Sequence, residues 1–227
     1  MLVIVDLDDT LCNTWEAGRK AIVRMTLELM LRFKLRAISY LLFSRYKHLE
    51  KERSLHLLDL RGITERILED IYGSVNPDFL ADIHRIIDKV FFSNLRLYPD
   101  ARPFLEGLRR MQAKVALVTD SSSKWQRKKL EHLDIKDYFD TIIISGETGH
   151  TKFEPYNFRL AVNRLSSEPV YVVGDRDDTD MMGARWIGAT GILVRRGYFK
   201  MRKAKNADYT VRNLNEALQI IEKLEGR

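Results

Sequence analysis

Short apolar runs alternate with stretches of helical period along most of this chain. The first run, Met1 to Val5, stops abruptly at Asp6 and reads as a strand buried on both faces of a parallel sheet. After Asn13 the period changes. Trp15 to Leu35 carries Ile22, Met25, Leu29 and Phe33 at helical spacing, and Ala37 to Leu58 repeats the pattern. Gly62 marks a break, and Ile63 to Tyr72 reads as a third helix. Asn76-Pro77 is a cap followed by proline at the first helical position, opening a helix that runs to about Asn94. Residues 14–97 therefore read as all-helical. A helix to about Met111 then leads into strands at Val115 to Thr119, Thr141 to Ser145, Val170 to Val173, Gly191 to Val194 and Ala207 to Val211. Between and after them fall helices from about Ser123 to Leu133, Pro155 to Leu165, Thr179 to Ile187 and Leu214 to Leu224. Strands alternating with helices predict an α/β domain with a parallel sheet flanked by helices.

Composition adjusts this picture only slightly. With 227 residues the chain can hold one core domain and a smaller one, and 45% hydrophobic content suffices for a core. No stretch reaches the ~20 apolar residues needed to cross a bilayer. The apolar N-terminus lacks the basic leader of a signal peptide. Cys12 is the single cysteine, which excludes an internal disulfide and suits a cytoplasmic location. Beside a buried strand it reads as a small packing residue. The net charge of +6 is concentrated: Arg19 to Arg53 holds ten Lys/Arg against three Glu, and Arg195 to Lys205 holds six basic residues and no acid. Such segments favour nucleic acid, an acidic membrane surface or a phosphorylated small molecule, or they are simply solvated helix faces.

The chemistry gathers at strand ends. Asp6, Asp8 and Thr10 follow the first strand, at the sheet edge where open α/β folds bind ligands. Carboxylates this close repel unless a proton or cation intervenes, and a hard divalent metal with oxygen ligands answers that need. An ordinary turn over Asp8 to Thr10 is the bland alternative.

Four segments in order then carry a resemblance. DLDDT at Asp6 is similar to the D-x-D-x-T of the haloacid dehalogenase-like phosphohydrolases. ALVT ends in Thr119, Lys152 opens KFEPYNF, and YVVGDRDDTD supplies Gly174, Asp175 and Asp180. The resemblance implies a Rossmann-like core at 1–13 and 98–227 with an all-helical cap at 14–97. It implies a Mg²⁺-dependent phosphatase acting on a small phosphorylated metabolite through an aspartyl-phosphate. Asp6 would be the nucleophile and Asp8 the acid/base, protonated as substrate approaches. Thr119 and Lys152 would hold the phosphate. The metal would be held by Asp6, Asp175, the main-chain carbonyl of Asp8, and Asp180 directly or through water.

Asp177 and Asp178 read as acids favouring the next helix N-terminus rather than as ligands. Two positions depart from the family pattern. Asp120 stands where Asn is common, and its side chain is expected to turn away from phosphate toward Ser121–Ser123. Phe153 replaces a proline and should loosen the loop around Lys152. Arg19, Lys20, Tyr46 and His48 are candidates to touch the leaving group. A phosphomutase or phosphonatase is the alternative within the fold. A basic nucleic-acid or membrane-binding protein on a weakly active core is the alternative outside it.

Overall fold

The structure, a computed structural model, describes residues 1–33 and 56–226. The chain divides into two compact units, Met1–Trp15 with Arg96–Arg227, and Glu16–Leu95.

The larger unit is built on six parallel strands: β1 (Leu2–Val5), β2 (Lys114–Thr119), β3 (Thr141–Ile144), β4 (Val170–Gly174), β5 (Thr190–Val194) and β6 (Tyr209–Val211). Their spatial order is β3-β2-β1-β4-β5-β6. Every residue of β1 and β4 is buried, as expected of strands covered on both faces. Alternate residues point to opposite faces. Leu2, Ile4, Ala116, Val118, Val170 and Val172 share one core cluster with Phe158 and Ala161, which lie on the helix Tyr156–Leu165. The strand order reverses between β1 and β4, so a crevice opens beyond their carboxyl ends, and Asp6 and Asp175 are the next residues there.

Among the described residues the helices in chain order are α1 (Thr14–Phe33), α2 (Leu60–Tyr72), α3 (Pro77–Asn94), α4 (Ala101–Arg110), α5 (Ser123–Leu133), α6 (Ser145–Thr148), α7 (Tyr156–Leu165), α8 (Met182–Trp186) and α9 (Leu214–Leu224). The smaller unit holds α2, α3 and most of α1. There α3 is capped by the Asn76 side chain, which accepts from the N–H groups of Asp78 and Phe79, and it buries Ile83, Ile87 and Phe91 one turn apart.

Three expectations change. Gly62 is not a break: α2 begins at Leu60, because Asp59 accepts from the N–H groups of Arg61 and Gly62 and caps the helix three residues earlier. No regular helix starts at Thr179. A π-helical turn spans Asp177–Met181 before α8, and it turns Asp180 and Met181 into the interior. Ser145 ends no strand; it opens α6. The stretch 37–58 expected as a second helix lies outside the described residues but for its last three, as do Tyr46 and His48. Among the described residues no helix is long and apolar enough to cross a membrane.

Candidate active site

Asp6 sits one residue beyond β1, where its own N–H donates to Val173 O at 3.0 Å and locks it against β4. Its carboxylate is buried and held by two donors: Thr10 Oγ1 to Oδ2 at 2.9 Å and Lys152 Nζ to Oδ1 at 2.6 Å. Lys152 Nζ also donates to Asp180 Oδ1 at 2.7 Å. Asp180 Oδ2 accepts the Arg176 N–H at 3.1 Å, which closes the π turn over the end of β4. One carboxylate oxygen each from Asp6, Asp175 and Asp180 lies within 4.8 Å of the others, and all three residues are buried.

The electrostatics follow from this crowding. Burial, then the neighbouring carboxylates Asp180 and Asp8, push the Asp6 carboxyl up to about 7 against the pull of Lys152. Burial, then Asp6 and Asp180, push Asp175 well above the carboxylate range. Burial works against the Lys152 ammonium, yet Asp180, Asp6 and Asp120 outweigh it and hold the charge on. Three buried, oxygen-only donors that repel one another suit a hard divalent cation.

Asp8 is arranged differently. Its side chain is 28% exposed and faces Lys129, which is 2% exposed, with Nζ to Oδ1 at 2.5 Å. Thr14 Oγ1 donates to the same oxygen at 2.5 Å, and Gln126 Nε2 to Oδ2 at 2.7 Å. Burial raises this carboxyl, but Lys129 and the donors outweigh burial and hold it below its usual range. Asp8 therefore faces, besides the neighbouring carboxylates, a cation from 121 residues away.

Thr119 ends β2, fully buried, with its hydroxyl 2.7 Å from Gln126 Nε2. The Asp120 carboxylate reaches the backbone of Lys152. Both its oxygens accept the backbone N–H of Lys152, at 3.0 and 3.2 Å. The two departures compensate: with Phe153 in place of proline, the Asp120 carboxylate ties down the residue just before it. Phe153 itself lies under the Arg176 guanidinium, 5.5 Å away. Burial pushes the Asp120 carboxyl up to about 6.

The extra acids are anchors. Asp177 accepts from the N–H groups of Lys205 and Asn206 at 3.0 and 2.9 Å, and Asp178 pairs with Arg176 at 3.1 Å; neither serves a regular helix N-terminus. Asp9 (φ 57°) accepts the Trp15 N–H at 2.9 Å, and a Cβ at Gly197 would lie 2.3 Å from its Cβ, so glycine is needed there. The basic stretch 195–205 is partly satisfied internally. Arg196 forks onto Asp100 at 2.5 and 3.0 Å, and Arg195 donates to the carbonyls of Lys200 and Arg202. Cys12 is a buried packing residue whose thiol lies 3.5 Å from Leu7 O, and burial pushes it up.

Sequence reasoning missed Gln126 and Lys129. Their signal was helical phase: both fall on the inward face of α5 with Leu130 and Leu133, where apolar residues belong.

A model of the haloacid dehalogenase-like hydrolases matches residues 1–188. The chain is 30% identical to a glyceraldehyde 3-phosphate phosphatase of Methanopyrus kandleri, over 98% of this chain and 97% of that one. It is 28% identical to the enzyme of the same name from Methanocaldococcus jannaschii, with the same two coverages. Among solved structures, a HAD phosphatase from Thermococcus onnurineus superposes with a TM-score of 0.67, at 24% identity over 96% of each chain. The protein belongs to the haloacid dehalogenase-like hydrolase family, and it carries that family's α/β fold.

Proposed function

We propose that this hydrolase is a Mg²⁺-dependent phosphatase that removes the phosphate of a small phosphorylated metabolite through a phosphorylated Asp6. The observation that carries the reading is the meeting of Asp6, Lys152, Asp175 and Asp180, from three distant segments, at the reversal point of the sheet. In the first half-reaction an Asp6 oxygen bonds to phosphorus, the bond from phosphorus to the leaving oxygen breaks, and that oxygen takes the proton of Asp8, which is protonated as the phosphate oxygens approach. In the second, water attacks phosphorus, Asp8 accepts its proton, and the bond to Asp6 breaks. Thr10 holds one Asp6 oxygen and so orients the other. The Lys152 ammonium and the Thr119 hydroxyl meet the charge on the phosphoryl oxygens. Mg²⁺ would be held by Asp6, Asp175, the Asp8 main-chain carbonyl, and Asp180 directly or through water. Bound there, it neutralises the acid cluster and the phosphate.

Residues 14–97 would act as a cap over this core and supply contacts to the leaving group, with Arg19 and Lys20 as candidates. Both relatives named for glyceraldehyde 3-phosphate align over almost the whole chain, so triose phosphates head the substrate panel. Phosphate release from a metabolite panel with and without Mg²⁺, with Asp6→Asn as the inactive control, tests the reading. Mg²⁺-dependent release that vanishes in Asp6→Asn is expected. Full-speed hydrolysis by that variant, or no release across the panel, refutes it. Transfer to a second sugar phosphate in place of water would mark a phosphomutase.

A further inference from the structure

Lys129 and Gln126 occupy positions that helix packing would give to apolar side chains, yet both spend their polar groups on Asp8. Lys129 meets Oδ1 at 2.5 Å while only 2% exposed. Gln126 is fully buried; its Nε2 donates to Asp8 Oδ2 at 2.7 Å and to Asp120 O at 2.6 Å. Both of those partners only accept, so the amide must present its nitrogen to them. Among the described residues its buried Oε1 has no hydrogen-bond partner. A buried amide that leaves its oxygen unpaired in order to donate is tuned to its neighbours, not to its own solvation. A buried ion pair, likewise, is a poor stabilising device, since a well-packed apolar pair often does as well. The two groups grip Asp8 from the interior side, and 28% of the Asp8 side chain stays exposed.

We propose that Lys129 and Gln126 are positioning residues that fix the Asp8 carboxylate in the orientation needed to take a proton from the attacking water, an inference that rests on the phosphatase reading above. In that step the water oxygen bonds to phosphorus, its proton passes to Asp8, and the phosphorus–Asp6 bond breaks with its electron pair returning to Asp6. Loss of the grip slows this step selectively. Formation of phosphorylated Asp6 from p-nitrophenyl phosphate needs no proton donor of comparable strength, because p-nitrophenolate leaves unaided.

The test is acid-quenched rapid mixing of p-nitrophenyl phosphate and Mg²⁺ with the wild-type protein, Lys129→Met, Gln126→Met and, as a control, Lys128→Met on the exposed side of the same helix. In the first two variants we expect a burst of p-nitrophenol and accumulation of phosphorylated protein. Steady turnover should fall by about a hundredfold and KM should fall with it, so that kcat/KM, which reports formation of phosphorylated Asp6, changes less than about threefold. The control should match the wild type. A drop in which formation and breakdown slow together without accumulation, or unchanged turnover, overturns the proposal. Gln126→Met alone carries the same test where Lys129→Met fails to fold. A failure of the phosphatase reading is distinguishable: the wild type would then yield no phosphorylated protein on slowed quench, and Asp6→Asn would keep its rate, overturning both.

Discussion

Replacing Gly174 by alanine probes how the end of β4 sets the site. A Cβ at residue 174 would lie 2.4 Å from Asp180 Cγ and Oδ2 and 2.5 Å from its Cβ, whereas ordinary contact begins at 3.4 Å. Asp180 must therefore retreat by about 1 Å, and it has nowhere cheap to go. It is 1% exposed, its Oδ1 accepts from Lys152 at 2.7 Å, its Oδ2 accepts from the Arg176 N–H at 3.1 Å, and Met181 behind it is fully buried. Overpacking of this kind costs about 1–3 kcal/mol. A displacement of about 1 Å at a group that aligns the reacting atoms costs about a hundredfold in rate. Gly174→Ala is thus expected to lower the urea midpoint and to lose about two decades of Mg²⁺-dependent phosphate release. The double variant Gly174→Ala/Asp180→Gly removes the clash, Asp180 Cβ included, so its stability should recover relative to Gly174→Ala while its rate does not. A coupling of about 1–3 kcal/mol in the four-protein cycle is the expected signature. Strict additivity, or a Gly174→Ala protein with wild-type rate and midpoint, would refute the reasoning.

Asp120→Asn keeps an acceptor for the Lys152 N–H and removes a buried charge. The Asp120 carboxyl is raised from 3.8 to about 6 by burial, so between those values the unfolded chain has released its proton and the folded chain still binds it. The contribution of Asp120 to wild-type stability therefore falls over that window, by at most about 3 kcal/mol, and that contribution is flat outside it. The difference in urea midpoint between Asp120→Asn and wild type should grow in favour of the variant from about pH 4 to pH 7; a constant difference contradicts the assignment. Arg196→Met leaves Asp100, which also accepts the Leu214 N–H at 2.7 Å, without its guanidinium partner. A loss of about 3–5 kcal/mol is expected in thermal or urea unfolding. If instead the variant folds normally and loses affinity for polyanions, the basic loop is a binding surface and not a strut.

The ends of elements were legible where a local signal existed. An apolar run stopping at Asp6, the Asn76-Pro77 cap, and the phase of Leu214 to Leu224 each depend on neighbours within a few residues, and each matches an element that formed. Gly62 misled because a glycine in the first helical turn looks like a terminator unless the Asp59 cap upstream is weighed with it. The four motif segments could also be read in one dimension, because each lies at the end of a strand or, for Lys152, just past the short helix that follows one, and an all-parallel sheet carries those ends to one edge.

What sits beside what was another matter. By itself the chain's residue pattern determined a parallel α/β core, a helical stretch after the first strand, and a set of acids, a threonine and a lysine gathered at one sheet edge. Only the tertiary structure decided that Asp8 faces Lys129, that Asp120 fastens the backbone of Lys152, and that Asp177 holds Asn206. Hydrophobic period is a property of three or four consecutive turns or pleats. A side-chain pair separated by 29 to 121 residues depends on strand order and helix rotation, which exist only once the core has packed.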